Sequence, residues 1–362
     1  MQPCYRVVGV LSLLGALFAC PAASAPIQGP SNGGPPAPAP RVAAPDPSLA
    51  REYLATIRPS ADLQSFLDRS VAEIGREDPK FLASAARIAV IDLTQGDPPR
   101  IAHVRGEESI YPASTVKFVY LMAAYAFQER GRLRIDAAMD ADLDAMIRAS
   151  SNQATRKVFA RLTDTEAGPE LAPKEYSVFR ERRLAVKQWL QSMGITDLHA
   201  VNPTYDGNGD LFGRDQQFLR DRSIDGGLPA AGGQYANRTA MTASGTARLL
   251  ALLATDRALS PEDSATVRRR MRRDVREQPH LVHRIAGGVT SLRGTEVYAK
   301  SGTWGPVYAD AGIVRDSTGR QFVVAVFTDA NPPYRGDAIA DLTRRLAEHL
   351  LAPAPAPQGG PS

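Results

Sequence analysis

Residues 111–130 read YPASTVKFVYLMAAYAFQER and place a serine and a lysine on the first turn of a long apolar helix. Ser114 and Lys117 are three positions apart, so their side chains share one face of that helix. A serine hydroxyl is a poor nucleophile until a base removes its proton, and a neutral lysine amine within hydrogen-bond reach can do so. Taken alone, the pair is also compatible with a helix cap followed by a surface lysine.

A second polar motif, Ser150-Ser151-Asn152, lies between two predicted helices. Its first and third side chains can point the same way and would then offer a hydroxyl for proton transfer and an amide for a substrate carbonyl. The simpler interpretation of the motif alone is an N-cap for the second helix.

A third motif, Lys300-Ser301-Gly302-Thr303, ends a predicted strand and leads into Trp304. Here a lysine and a hydroxyl can meet a carboxylate, and Gly302 allows a ligand to approach the backbone closely.

The use of lysine supports a special role for two of these positions. The chain has 43 basic residues, and only positions 80, 117, 157, 174, 187 and 300 are lysine. Arginine therefore serves wherever a positive charge suffices, whereas lysine stands in two of the motifs, where a pKa that can be adjusted is useful.

Together, and in this order, the three motifs resemble the signature motifs of the class A β-lactamases and penicillin-binding proteins, which are penicillin-recognising serine hydrolases. The resemblance covers about residues 86–351, with residues 153–236 poorly matched. Outside the motifs it includes the helix of residues 146–162, the segment Asn237-Arg238-Thr239 and the strands within residues 310–328.

The resemblance implies an α/β fold in which helices flank an antiparallel sheet and an all-helical subdomain is inserted. The sequence agrees with this arrangement, because predicted strands lie at residues 86–93, 101–105, 296–300, 307–314 and 321–328, and helical patterns fill the middle. We expect the site in the cleft between the two parts.

The resemblance also assigns roles. Ser114 would be the nucleophile, Lys117 its general base or the partner of the base, and Ser150 a proton relay. The other members of the site would be Asn152 for the substrate amide, Lys300 and Ser301 for its carboxylate, Gly302 for close approach, and the backbone N–H groups of Ser114 and Thr303 for the oxyanion. A positive charge on Lys300 and burial in the cleft should both lower the pKa of Lys117 and favour its neutral form.

The preferred function is hydrolysis of a β-lactam amide through an acyl-enzyme, and the alternative is a peptidoglycan D,D-peptidase. A non-catalytic cell-wall binding module is a third interpretation, although such a module has no need for every one of these positions. The E-x-x-L-N motif of class A β-lactamases is absent, so we expect one of several other carboxylates to activate the deacylating water: Glu166, Glu170, Glu175, Glu181, Asp206 or Asp210.

Other chemistries find less support in the sequence. His280 and His283 lack helical metal-ligand spacing, and the turn-rich residues 202–210 lack regular calcium-ligand spacing, so we expect neither a metal nor a cofactor. The formal net charge of +4 is mild. The arginine run of residues 268–273 is interpreted as a solvated helix face, so no nucleic-acid partner is expected. We expect a monomer that binds a small β-lactam or a peptidoglycan-like peptide.

The N-terminus predicts export. Residues 7–20 form an apolar run of signal-peptide length after Arg6, and small residues follow it. Two processing sites compete, one ending before Cys20 as in lipoproteins and one at residues 23–25, where Pro26 argues against cleavage. The predicted order is a signal peptide over 1–25, a Pro/Gly/Ala-rich tether over 26–50, the hydrolase domain over 51–351 and a disordered tail over 352–362. The protein would be periplasmic or tethered to the membrane through Cys20.

Overall fold

A computed structural model describes residues 44–94, 98–204 and 213–351. Its α-helices are α1 (Pro47–Thr56), α2 (Ala61–Glu77), α3 (Lys117–Glu129), α4 (Ala137–Arg148), α5 (Asn152–Thr163), α6 (Pro173–Arg183), α7 (Ala185–Ser192), α8 (Arg214–Arg220), α9 (Ala243–Ala254), α10 (Pro261–Met271), α11 (Ile285–Gly288) and α12 (Ala338–Leu350). Its strands are β1 (Arg58–Pro59), β2 (Ala86–Asp92), β3 (Arg100–Val104), β4 (Leu198–His199), β5 (Leu228–Ala230), β6 (Tyr235–Arg238), β7 (Ala240–Met241), β8 (Arg272–Arg273), β9 (Glu296–Trp304), β10 (Val307–Arg315) and β11 (Gln321–Asp329).

The two ends of the folded chain complete one sheet, as the sequence predicts. Within the described ranges this sheet has the strand order β1-β3-β2-β11-β10-β9-β8. Every neighbouring pair in it is antiparallel except β1 and β3, which run parallel. The central strands are apolar on both faces because helices cover both sides of the sheet.

The helices on the two faces of the sheet bury separate apolar clusters. One cluster contains most of α3 and α9 together with parts of α4 and α5, and the other contains the inner faces of α2 and α12. All residues from Phe118 to Phe127 are buried, because α3 is surrounded by other elements on every side. The position of Lys117 at the start of this helix is therefore fixed by a dense core.

The inserted segment differs in detail from the sequence expectation. Residues 173–192 form two helices, α6 and α7, which meet at Leu184. The break accompanies the burial of Arg183, whose side chain turns inward. Two short antiparallel strand pairs, β4 with β7 and β5 with β6, are formed by the chain between α7 and α9.

The folded part begins earlier than expected. Helix α1 starts at Pro47 with Asp46 as its cap, inside the segment 26–50 that the sequence predicts as a tether. The rest of that tether up to residue 43, the predicted leader and the predicted tail lie outside the described residues. Within the described ranges, no helix is long and apolar enough to cross a membrane.

Candidate active site

Ser114 lies on a short 3-10 turn, Ala113–Val116, that leads directly into α3. The preceding residue, Ala113, has a φ of 50°, a left-handed conformation that is costly for a residue with a side chain. Such strained backbone concentrates at functional sites, where the surrounding structure enforces it. Ser114 is half-buried, whereas its neighbours on the turn are buried. The turn thus presents the serine at an accessible place on a rigid base.

Lys117 is fully buried, and its recorded hydrogen bonds go to the second motif. Its Nζ lies 2.5 Å from the backbone oxygen of Ser150, 2.7 Å from Asn152 Oδ1 and 3.3 Å from Ser150 Oγ. A neutral lysine amine has two N–H donors and one lone pair. If the backbone oxygen and the amide oxygen accept these two donors, the lone pair is left for a hydroxyl proton.

The Ser150 hydroxyl connects two lysines. Lys300 Nζ donates to Ser150 Oγ at 3.0 Å and to the backbone oxygen of Ser301 at 2.8 Å. The N-cap of α5 is the next residue, Ser151, whose hydroxyl accepts from the backbone N–H of Ala154 at 3.1 Å. The capping role and the hydroxyl between the lysines are therefore divided between neighbouring serines, and Ser150 adopts a left-handed φ of 54°.

Burial lowers the pKa of Lys117 to about 7. The direction and one of the two expected causes, burial, agree with the sequence prediction, whereas the charge of Lys300 does not contribute to the shift of Lys117. Burial also lowers the pKa of Lys300 well below its usual value, and the charges of Arg273 and Lys117 add to this effect. The site therefore holds at least one of its lysine protons weakly.

The third motif lies directly against the serine turn. A Cβ added to Gly302 would lie 2.7 Å from the backbone oxygen of Pro112 and 2.7 Å from Thr115 Oγ1, both shorter than a normal contact. Only glycine therefore allows β9 to approach this turn so closely. Ser301 and Thr303 are two residues apart on the strand and share one side of it.

Sequence analysis missed Arg284, which precedes α11. Its side chain is buried and donates to Thr303 Oγ1 at 2.7 Å and to the backbone oxygen of Ala309 at 2.7 Å. The guanidinium also lies 3.5 Å from the ring centre of Tyr308. Arg284 thus places a fixed positive charge beside exposed Thr303, although no local sequence pattern sets it apart from the other arginines.

The arginine run of residues 268–273 is not wholly a solvated helix face, so that interpretation is wrong for Arg273. This side chain is buried on β8 and donates to the backbone oxygens of Ala299 at 3.0 Å and Ile147 at 2.8 Å. Burial lowers its pKa to about 10. It joins the strand of the third motif to α4, the helix before the second motif. The charge of buried Asp310 opposes the effect of burial, because it raises the pKa of both Arg273 and Lys300.

The predicted deacylating carboxylates do not gather at this site. Glu166, Glu170, Glu175 and Glu181 are exposed, and Glu170 pairs with Arg220 at the surface. Asp206 and Asp210 lie outside the described residues.

An amide is buried near the start of α3 instead. The backbone oxygen of Asn202 accepts from Tyr120 at 2.5 Å, and its Nδ2 donates to the backbone oxygen of Asn237 at 2.7 Å. Its Oδ1 is buried without a partner among the described residues.

The described ranges contain no group of three or more His, Cys, Asp or Glu side chains arranged to hold a metal ion. His283 pairs with Asp337 at the surface.

Comparisons with known proteins agree with this arrangement. A model of the beta-lactamase enzyme family matches residues 182–350. The structure of PBP-A superimposes with a TM-score of 0.55 at 17% identity, covering 82% of this chain and 98% of that chain. The chain has a class A β-lactamase-like fold.

Two further structures lead to the same fold. The beta-lactamase from Sphaerobacter thermophilus matches with a TM-score of 0.53 at 20% identity, covering 80% of this chain and 99% of that chain. An ancestral class A beta-lactamase matches with a TM-score of 0.55 at 19% identity, covering 78% and 99%. No curated protein matches the sequence. The β-lactamase-like resemblance predicted from the three motifs is confirmed, including the sheet flanked by helices.

Proposed function

We propose that this β-lactamase-like protein is a serine hydrolase that opens the amide of a β-lactam through an acyl-Ser114 intermediate. The observation that carries the proposal is the Ser150 hydroxyl, which lies within 3.3 Å of Lys117 Nζ and 3.0 Å of Lys300 Nζ. Ser114 shares the opening turn with Lys117. A nucleophile, a base that loses its proton near neutral pH and a relay are thus combined at one place.

In the proposed acylation, neutral Lys117 removes the proton of the Ser114 hydroxyl as its oxygen attacks the lactam carbonyl. The C–N bond then breaks, and the Ser150 hydroxyl gives its proton to the leaving nitrogen. Ser150 regains a proton from the protonated Lys117, so the lysine returns to its starting state. The products of this step are an ester on Ser114 and a ring-opened amine.

The remaining residues would hold the substrate during this step. The backbone N–H groups of Ser114 and Thr303 would stabilise the oxyanion, because β9 lies against the serine turn at Gly302. Asn152 would bind the substrate amide. Lys300 and Ser301 would bind its carboxylate, and Arg284 adds a positive charge through its bond to Thr303.

A peptidoglycan D,D-peptidase is the second candidate, and the exposed glutamates favour it. None of the four described candidate carboxylates is buried, which argues against each of them as the base that hydrolyses a bulky lactam ester. Such a site would be acylated by penicillin and would release it slowly. Among the structural neighbours, a variant of PBP-A is described as an acyl-enzyme complex with penicillin G.

Intact-protein mass spectrometry after mixing with benzylpenicillin tests both candidates. We expect a covalent adduct on the wild-type protein and none on Ser114→Ala, with the labelled peptide containing Ser114. Decay of the adduct within seconds favours a β-lactamase, whereas persistence for minutes or longer favours the peptidase. An adduct on Ser150 or Ser301, or no adduct at all, would refute the proposed acyl-enzyme.

We further propose that the protein acts outside the cytoplasm, as a periplasmic protein or as a lipoprotein tethered through Cys20. The apolar run of residues 7–20 supports export. Fractionation of cells, with a Cys20→Ala variant as control, tests the tether: this variant should move from the membrane to the soluble fraction.

A further inference from the structure

A half-buried arginine beside the proposed active site has no recorded hydrogen bond or ion pair from its guanidinium to another described residue. Arg238 ends β6, and its guanidinium carbon lies 3.7 Å from the ring centre of Tyr111 and 5.0 Å from that of Trp304. The two rings meet edge to face with their centres 5.4 Å apart. The charge of Asp329 favours the protonated form of Arg238 through space, but the two side chains form no ion pair. The guanidinium is thus held by aromatic rings, and none of its donors bonds to a residue within the described ranges.

Both rings are connected to the catalytic machinery by the backbone. Tyr111 precedes Ser114 by three residues, and Trp304 directly follows Thr303. Trp304 is 55% exposed, which is unusual for so large an apolar side chain. Exposed aromatic residues next to a guanidinium are typical of binding sites rather than of a packed core.

The direction of β9 places this group on the acyl side of the substrate. In the proposed complex, Lys300 and Ser301 bind the carboxylate that belongs to the leaving side, and the N–H of Thr303 binds the carbonyl oxygen. The strand advances by about 3.3 Å per residue. Trp304 therefore lies beyond the carbonyl, where the acyl side chain must be.

We propose that Arg238, Tyr111 and Trp304 form an acyl subsite that binds a carboxylate on the acyl side chain of the substrate. The proposal rests on the proposed function, because it requires a substrate placed across Ser114. A guanidinium presents paired N–H donors that match a carboxylate, and stacking on the rings fixes its orientation before the ligand arrives. Partial burial removes competing water and strengthens the interaction.

Two penicillins that differ by one carboxylate test the acyl subsite. Carbenicillin is benzylpenicillin with an added carboxylate on the acyl side chain. We expect Arg238→Gln to lower the ratio of the carbenicillin to the benzylpenicillin acylation rate by about tenfold, as for loss of a hydrogen bond to a charged group. Arg222→Gln is the matched control, since Arg222 is exposed and donates to the backbone oxygen of Gly233, and it should leave the ratio unchanged. An unchanged ratio in Arg238→Gln would overturn the subsite.

Binding of the two penicillins to Ser114→Ala, which cannot be acylated, tests the acyl subsite independently of the proposed reaction. Quenching of Trp304 fluorescence reports binding without acylation. The chain has two tryptophans, and comparison with Trp304→Phe shows which part of the signal comes from Trp304 and which from Trp189. We expect carbenicillin to bind more tightly than benzylpenicillin, and we expect Arg238→Gln to remove the difference. If the wild-type protein forms no adduct but this difference is present, the proposed function fails and the subsite stands. Equal affinities for the two penicillins refute the subsite, whatever the acylation result.

Discussion

At the scale of single residues, the site depends on how one hydroxyl is shared. Ser150 lies between Lys117 and Lys300, and burial lowers the pKa of both lysines. Two ammonium groups around one hydroxyl would repel each other and would leave it with no base to receive its proton. With one amine neutral, the hydroxyl can donate to that amine and accept from the other. This arrangement suits proton transfer between the nucleophile and the leaving group.

Replacement of Lys117 by arginine tests the base. Arginine keeps the positive charge but does not lose its proton near neutral pH. We expect acylation of Lys117→Arg by benzylpenicillin to fall by about 10²–10⁴-fold, the usual contribution of a general base. Stopped-flow or mass measurements of adduct formation give the rate, and circular dichroism shows that the fold persists. Acylation at the wild-type rate would leave Lys117 only an electrostatic role.

The pH dependence follows from the same pKa. Lys117 acts as a base only when neutral, and its pKa is about 7, so the acylation rate should rise with pH with a midpoint near that value. In the unfolded chain the lysine holds its proton up to about pH 10.4. Between the two values the unfolded state binds more protons, so this group makes stability rise with pH. Adduct formation measured from pH 5 to pH 9 checks the profile, and a rate that falls as pH rises contradicts it.

At the scale of elements, the contact between β9 and the serine turn is the critical one. An added Cβ at Gly302 would meet backbone as well as side-chain atoms at 2.7 Å, so the strand has to move away. We expect Gly302→Ala to slow acylation at least about tenfold through a displaced oxyanion donor. The cost in stability should be about 1–3 kcal/mol, as for overpacking.

A glycine in open space provides the control for Gly302→Ala. Gly75 lies within α2, and an added Cβ there meets nothing within 4 Å. Gly75→Ala should leave acylation unchanged and raise the melting temperature slightly, because alanine favours a helix. Equal acylation by the two alanine variants would show that the close approach at Gly302 is not needed.

The elements also show how far the sequence predicts this molecule. The continuous apolar runs of α3, β10 and β11 predict buried elements, and the three motifs predict which residues meet. The resemblance assigns the relay to Ser150, but the residues of the motif alone do not separate a cap from a relay, because the choice depends on a left-handed backbone at Ser150. Arg273 and Arg284 were missed because burial of an arginine depends on distant carbonyl groups, which leave no local pattern.

At the scale of the whole molecule, one buried ion pair joins several parts of the inserted segment. Arg183 and Asp215 are each 2% exposed and form a salt bridge between α6 and α8. Arg183 also donates to the backbone oxygen of Val201 at 3.3 Å and to Thr165 Oγ1 at 3.2 Å. The backbone oxygen of Asn202, the residue after Val201, accepts a hydrogen bond from Tyr120 of α3. Arg183 therefore connects this contact with α3 to the helices of the insert.

The energetics of this pair give a test at the scale of the molecule. Asp215→Ala leaves the Arg183 charge buried without its partner, and such a loss costs about 3–5 kcal/mol. Replacing both residues, as Arg183→Met with Asp215→Leu, removes the charge together with its desolvation cost, so the double variant should be more stable than Asp215→Ala. Urea unfolding of the three proteins measures the difference. If the double variant is no more stable than the single one, the hydrogen bonds of Arg183 to Val201 and Thr165, rather than its ion pair, hold the insert together.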